Sequence, residues 1–246
     1  PSFQQIAALP LEEKVKVLST AEMKEKILSE KPISINPLVD EIVTSYNKMF
    51  RLGDPANYEP DPESSFLSEA EREGKTPQEV AYDMMLEKEG RALIYHPLFN
   101  YQPGDLSLVE KMLKHPFTIA GLGDAGAHCG AISDASFPTT LIQHWSRDRE
   151  RGDKIPLETT IKMQTSETAQ LLGINDRGIL EEGYKADINV IDYENLTLHE
   201  PEIINDLPAG GRRLVQKASG LIAGDPKDEK TFVGPMISEG EAARLE

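Results

Sequence analysis

The chain has 246 residues, of which 39% are hydrophobic, with seven Phe and seven Tyr, enough apolar material to bury a core and unlike a disordered tail. Lysine and arginine number 26 against 42 acidic residues, a net charge of −16, which disfavours nucleic acid and anionic membrane surfaces as partners. No apolar run approaches the roughly 20 residues that span a bilayer. The single Cys129 excludes an internal disulfide framework and Cys-based zinc clusters, so a cytoplasmic setting is expected.

Residues 1–90 read as helices. Ser19 and Glu22 have capping-box spacing ahead of Met23, Ile27 and Leu28, and Asn36-Pro37 supplies an N-cap and N1 for a helix carrying Leu38, Ile42, Tyr46 and Met49. Residues 53–63, GDPANYEPDPE, hold three prolines and form a loop that is expected to be mobile. Thr76, Pro77 and Glu79 make a second capping box, and Gly90 stands where a C′ residue closes that helix.

From residue 91 the grammar changes to strand, helix, strand. ALIYHPLF is followed by DLSLVEKMLKH, with Leu106, Val109, Met112 and Leu113 on one face, and then by FTIAGL. Near-continuous apolar strands in a βα repeat predict parallel neighbours. Residues 138–151 and 156–172 read as helices, the second opened by Pro156 and closed by Gly173. Short strands follow in GILEEG, KADINVID, RRLVQKASGLIAG and KTFVGPMIS.

The segment FTIAGLGDAG, residues 117–126, matches the dinucleotide fingerprint G-x-G-x-x-G through Gly121, Gly123 and Gly126. A dinucleotide-binding domain needs a helix opening at the third glycine and an acidic residue about 20 positions later. Gly130, the Ser133-Asp134 pair and Pro138 discourage that helix, and positions 144–146 are His, Trp and Ser. Asp124 would also repel phosphate from the cradle. The alternative reading is a strand that delivers one carboxylate to a reaction centre, with glycines allowing close approach to a ligand.

The stretch GLGDAGAHCGAISDASFPTTLIQHW resembles the last barrel strand and following loop of the N-acyl-D-amino-acid deacylases, the D-aminoacylase branch of the amidohydrolase superfamily. DRGILEEGYKADINVID, DLPAGGRRLVQKASG, EGRALIYHPLFNYQPGDL and NYEPDPESS extend the resemblance over most of the chain. It implies an α/β fold: the carboxyl-terminal part of a (β/α)8 barrel over residues 1–172, including a helical and loop insertion at 36–75 that reads either as a lid over the mouth or as ordinary surface packing. Part of a small β-sandwich follows at 173–244. It also implies one or two zinc ions as cofactor and a small-molecule N-acyl amino acid as substrate. Matched by motif, the resemblance implies that Asp124 contacts the metal or its water, acts as general base and later protonates the leaving amine.

The family's His-x-His pair has no counterpart among His96, His115, His128, His144 and His199. With about two barrel strands and one matched ligand, the chain is expected to be a portion of a longer enzyme, to lack most metal ligands and to be inactive by itself. Pro1 is not an initiator, and Leu245-Glu246 reads as a possible cloning scar.

His96, Asn100 and His128 are candidates to line the substrate pocket, at a strand end or beside Asp124. Arg147, Arg149 and Arg151 alternate with Asp148, Glu150 and Asp153, a pattern expected on a solvated helix face. His144 and Trp145 are expected as core or interhelical contacts. A second function class is a non-catalytic assembly module, in which exposed strand edges pair copies of the chain into a homo-oligomer.

Overall fold

The computed structural model describes residues 2–31, 36–121, 130, 136–185 and 187–223. The chain divides into two compact units, Pro1–Leu52 with Asn57–Leu106, and Gly53–Ala56 with Ser107–Glu246.

In the first unit, helices α1 (Ser2–Ile6), α2 (Leu11–Leu18), α3 (Ala21–Ser29) and α4 (Pro37–Thr44) precede strand β1 (Phe50–Arg51). Helices α5 (Phe66–Glu73) and α6 (Pro77–Gly90) and strand β2 (Ile94–Tyr95) follow. The capping box of α6 forms as its spacing predicts: Glu79 N–H donates to Thr76 Oγ1 at 3.2 Å, and Thr76 N–H to Glu79 Oε2 at 2.7 Å. Asn36 caps α4 through the Val39 N–H at 3.0 Å. The cap expected at Ser19 moves by one residue. Ser19 keeps helical dihedrals at the end of α2, whereas Thr20 is extended and its hydroxyl accepts from the Met23 N–H, as an N-cap requires.

Capping sets the direction of α5 and α6, which bury residues four apart: Phe66 and Ala70 on one, Val80 and Met84 on the other, together with Met49. Thr76→Ala is expected to cost about 1 kcal/mol, read as a lower urea midpoint at unchanged slope. Arg51 grips Glu69 at 2.7 and 3.1 Å and holds its carboxyl below the usual carboxylate range. Because the folded value lies under the unfolded one, this pair adds stability above about pH 4 and loses it as pH falls. Between about pH 5 and about pH 3 the urea midpoint is expected to drop less steeply in Arg51→Met than in wild type.

Two expectations for this unit are corrected. Helix α6 leaves regular geometry at Glu87 (ψ 159°), and Lys88, Glu89 and Gly90 all have positive φ, so the exit begins three residues before the predicted glycine. The strand predicted over ALIYHPLF is reduced to Ile94–Tyr95, paired antiparallel with Phe50–Arg51. Pro97 explains the stop: it offers no N–H to a ladder and restricts His96 before it. Leu98, Phe99 and Asn100 beyond it are exposed.

In the second unit, α7 (Ser107–Leu113) forms as predicted, yet none of its residues is buried, and Met112 is 41% exposed. The strand expected in FTIAGL does not form over Phe117–Gly121; Leu122 lies outside the described residues. Local bonds consume the donors a ladder would use: Thr118 N–H donates to the His115 carbonyl at 3.0 Å and Phe117 N–H to His115 Nδ1 at 3.3 Å.

Helix α8 (Phe137–Gln143) continues into a wider π-turn over His144–Asp148, where the predicted helix to 151 ends. The single helix predicted over 156–172 is two, α9 (Leu157–Gln164) and α10 (Ser166–Leu171), broken at Thr165 (φ −121°, ψ −93°). Thr165 Oγ1 donates back to the Ile161 carbonyl at 2.8 Å, a bond that competes with helix continuation. Gly173 closes α10 as predicted. Its φ is +69°, its N–H reaches Gln170 O at 3.1 Å, and Ile174 N–H reaches Ala169 O at 2.9 Å, the paired bonds of a left-handed helix stop.

Strands β3 (Val190–Ile191), β4 (Thr197–Leu198), β5 (Glu202–Leu207), β6 (Gly211–Val215), β7 (Ala218–Ser219) and β8 (Leu221–Ala223) complete the described chain. They pair β5–β6, β4–β7 and β3–β8, antiparallel ladders nested around the turn Pro208–Gly210. GILEEG, expected as a strand, is turn and irregular backbone. KTFVGPMIS and the terminal Leu-Glu lie outside the described residues.

Among the described residues there is no closed barrel: the four ladders are each two-stranded and antiparallel, which corrects the expected parallel pair. None of the described helices is long and apolar enough to cross a membrane.

Candidate active site

Asp124, the residue on which the catalytic reading turns, lies outside the described residues, as do His128, Cys129 and two of the three fingerprint glycines. The described chain stops at Gly121, just after Ala120, whose carbonyl accepts from Thr168 Oγ1 of α10 at 3.3 Å.

His96 and Asn100 both fall in the first unit. His96 follows β2 and lies 3.1 Å through Nε2 from Ser45 Oγ. The Ser45 hydroxyl already donates to the Ile42 carbonyl at 2.8 Å. Its one proton is spent there, so the imidazole Nε2 carries the hydrogen toward Ser45 and Nδ1 keeps a lone pair. Burial, followed by the nearby Lys48 charge, holds the His96 pKa below the ordinary histidine value, which favours this neutral form. Asn100 is exposed with φ of +58°, a left-handed turn position that Asn tolerates better than most residues.

Close by in the same unit is a cleft of about 300 Å³ whose lining includes Lys48, Phe50, Ser65, Ser68, Tyr101 and Gln102. Pro62 of the proline-rich loop forms part of its wall, and residues 57–63 are pinned to the unit. Tyr95 and Tyr101 donate their hydroxyls to the Tyr58 and Pro60 carbonyls at 3.1 and 2.9 Å, and the buried Glu59 accepts from the Leu106 N–H at 2.8 Å. Burial raises the Tyr95 pKa, so its hydroxyl stays a donor at every physiological pH. The loop expected to be mobile is therefore held by three side-chain hydrogen bonds.

The arginine cluster is corrected. Arg149 is 1% exposed, bonded to Glu110 at 2.5 Å and the Asp153 carbonyl at 2.9 Å, with its guanidinium 4.5 Å from the Trp145 ring centre. Arg147 donates to the Tyr193 carbonyl and, at 2.5 Å, to the Leu196 carbonyl. These two side chains hold the second unit together instead of facing solvent. The alternating signs alone concealed this, and the adjacent Trp145 was the available signal, since arginine stacks on aromatic faces.

Among the described residues no three His, Cys, Asp or Glu side chains converge to hold a metal ion. The described donors alone do not fit a catalytic zinc, which commonly takes three protein ligands.

The family model described as "Amidohydrolase family" matches residues 79–221, more than half of the chain and spanning Asp124. The chain belongs to the amidohydrolase family. Neither curated proteins nor solved structures gave a match. For this amidohydrolase the family implies a barrel-type α/β architecture and hydrolase chemistry, commonly with metal ions.

Proposed function

We propose that this amidohydrolase serves hydrolysis of the linear amide of an N-acyl-D-amino acid, with zinc, one or two ions, as cofactor of the complete enzyme. The observation that carries the proposal is the GLGDAG sequence inside the matched region 79–221, where the chain resembles the D-aminoacylases segment by segment. Asp124 would be one of the groups that hold the metal, which would supply Lewis-acid activation of the water. It takes a proton from the attacking water, and passes it to the nitrogen as the carbonyl carbon–nitrogen bond breaks, giving a carboxylic acid and a free amino acid. His128, four residues after Asp124 in the sequence, contributes to the substrate pocket.

The chain contains no His-x-His pair, so the remaining ligands come from other parts of the complete enzyme, and residues 1–246 alone neither hold stoichiometric zinc nor turn over substrate. The test is amine release by the full-length gene product from matched N-acetyl-D- and N-acetyl-L-amino acids and from a cyclic amide. Hydrolysis confined to the linear D-amides supports the proposal; hydrolysis of the cyclic amide alone contradicts it.

One observation favours a second reading, a non-catalytic assembly module. Each described sheet has two strands, and the outer edges of such a ladder are a template for pairing with a second copy of the chain. Light scattering of the 246-residue chain at low concentration separates the two: a strictly monomeric species removes the assembly reading.

A further inference from the structure

Asp54, His199 and Ser219, all within the second unit, are joined in one hydrogen-bonded line. His199 Nε2 lies 2.6 Å from Ser219 Oγ, and its Nδ1 lies 3.3 Å from Asp54 Oδ1. Residues 145 positions apart are involved, so no local motif announces the arrangement. Backbone geometry builds it from three sides. Strand β4 pairs with β7, Thr197 opposite Ser219, and His199 extends that ladder by donating its N–H to the Lys217 carbonyl at 3.0 Å. His199 and Ser219 are thus diagonal neighbours on one face.

The His199 backbone is fixed from behind. The His199 carbonyl accepts from Nε2 of the buried Gln216 at 2.7 Å. Asp54 is brought in by the Ala56 N–H, which donates to the Leu198 carbonyl at 3.1 Å, and by the Glu200 N–H, which reaches Asp54 Oδ1 at 3.3 Å. After Ser219 the chain turns at Gly220 with φ of +87°, where a Cβ would lie 2.8 Å from the Leu196 backbone. Only glycine fits there, and it fixes the serine beside the ring.

We propose that Ser219 is the nucleophile of a second hydrolytic centre in this chain, acting on aryl esters of short carboxylic acids, with His199 as general base and Asp54 orienting the ring. A carboxylate on Nδ1 keeps the proton at that nitrogen and leaves Nε2 free to accept from the serine hydroxyl, the same division of labour as in serine hydrolases of unrelated folds. Ser219 Oγ attacks the ester carbonyl as its proton moves to His199 Nε2. The carbonyl carbon–oxygen bond then breaks, and His199 returns the proton to the leaving phenoxide. Water, deprotonated by His199, cleaves the acyl-serine to the acid and free Ser219. The site is half open, with the His199 side chain 40% and the Asp54 side chain 55% exposed, so it suits short acyl groups and leaving groups that need little assistance. It is independent of the amide-hydrolysing reading.

The test is labelling of the 246-residue chain with a fluorophosphonate, mapped by peptide mass spectrometry, alongside p-nitrophenyl acetate turnover. Ser219 is expected to carry the adduct, with labelling lost in Ser219→Ala, reduced about 100-fold in His199→Gln and at least about tenfold in Asp54→Asn. Thermal melts establish that the variants fold. A purely structural role for the three side chains would change the melts and leave Ser219 of the wild-type protein unlabelled. An unlabelled wild-type Ser219, or equal labelling in a folded His199→Gln, overturns the proposal.

Discussion

Arg149→Met is expected to destabilise the second unit by about 3–5 kcal/mol, the range for removing one partner of a buried ion pair. The Arg149 side chain has no solvent exposure, and Glu110 on its other side is 18% exposed. Methionine keeps the apolar stem and loses the guanidinium contacts, among them the carboxylate of Glu110, the Asp153 carbonyl and the face of Trp145. Lys114 also grips Glu110, at 2.6 Å, and is the larger cause of the lowered Glu110 pKa, with Arg149 next. Lys114 is 41% exposed, so it compensates in part through screened solvent. Arg149→Lys keeps the charge without the planar fork and should fall between wild type and Met. Trp145 is the single tryptophan of the chain and lies against the guanidinium, so its fluorescence during urea unfolding reads the loss directly. A shift below about 1 kcal/mol would place this ion pair with surface pairs and remove its structural role.

Asp124→Asn carries the largest expected effect on function. An amide of the same shape cannot accept the proton of the attacking water, so on the proposed reading kcat for amide hydrolysis falls by about 100- to 10,000-fold. The loss should sit in kcat, with KM changing little, because the proton transfer belongs to the transition state and not to substrate binding. Asp124→Glu keeps the base but moves it by one methylene, and is expected to recover a part of the lost rate. Steady-state amine release from the full-length gene product, at matched zinc content, separates these outcomes. Asp124→Asn with more than a tenth of wild-type kcat would falsify the catalytic assignment.

Local signals were legible where one residue decides one dihedral or one hydrogen bond. Thr76 with Glu79, Asn36 with Pro37, and Gly173 each formed the cap or stop that its chemistry predicts. Periodicity failed where an apolar run needs a partner from elsewhere. FTIAGL and ALIYHPLF read as barrel strands, but a strand exists only against a neighbour that accepts its N–H groups. In the described chain His115 takes those of Phe117 and Thr118, and Pro97 interrupts the other run.

Charge patterning failed for a different reason. Arg149 alternates with acidic residues as a surface side chain would, and only the tertiary pairing with Glu110, 39 residues earlier, brings it inside. The Asp54, His199 and Ser219 line was equally hidden, because antiparallel pairing of β4 with β7 is what joins its members. The amidohydrolase family was legible from several separated segments, and the match over residues 79–221 bears out that coarser identity.

On the proposed reading, the Asp124 carboxylate in the GLGDAG segment serves a metal-assisted reaction centre. Anomalous scattering at the zinc edge from crystals of the full-length gene product tests it most directly. A zinc peak at about 2.0–2.2 Å from an Asp124 carboxylate oxygen is the expected result. A bound zinc elsewhere, with Asp124 turned to bulk solvent or spent on backbone N–H groups, would contradict it.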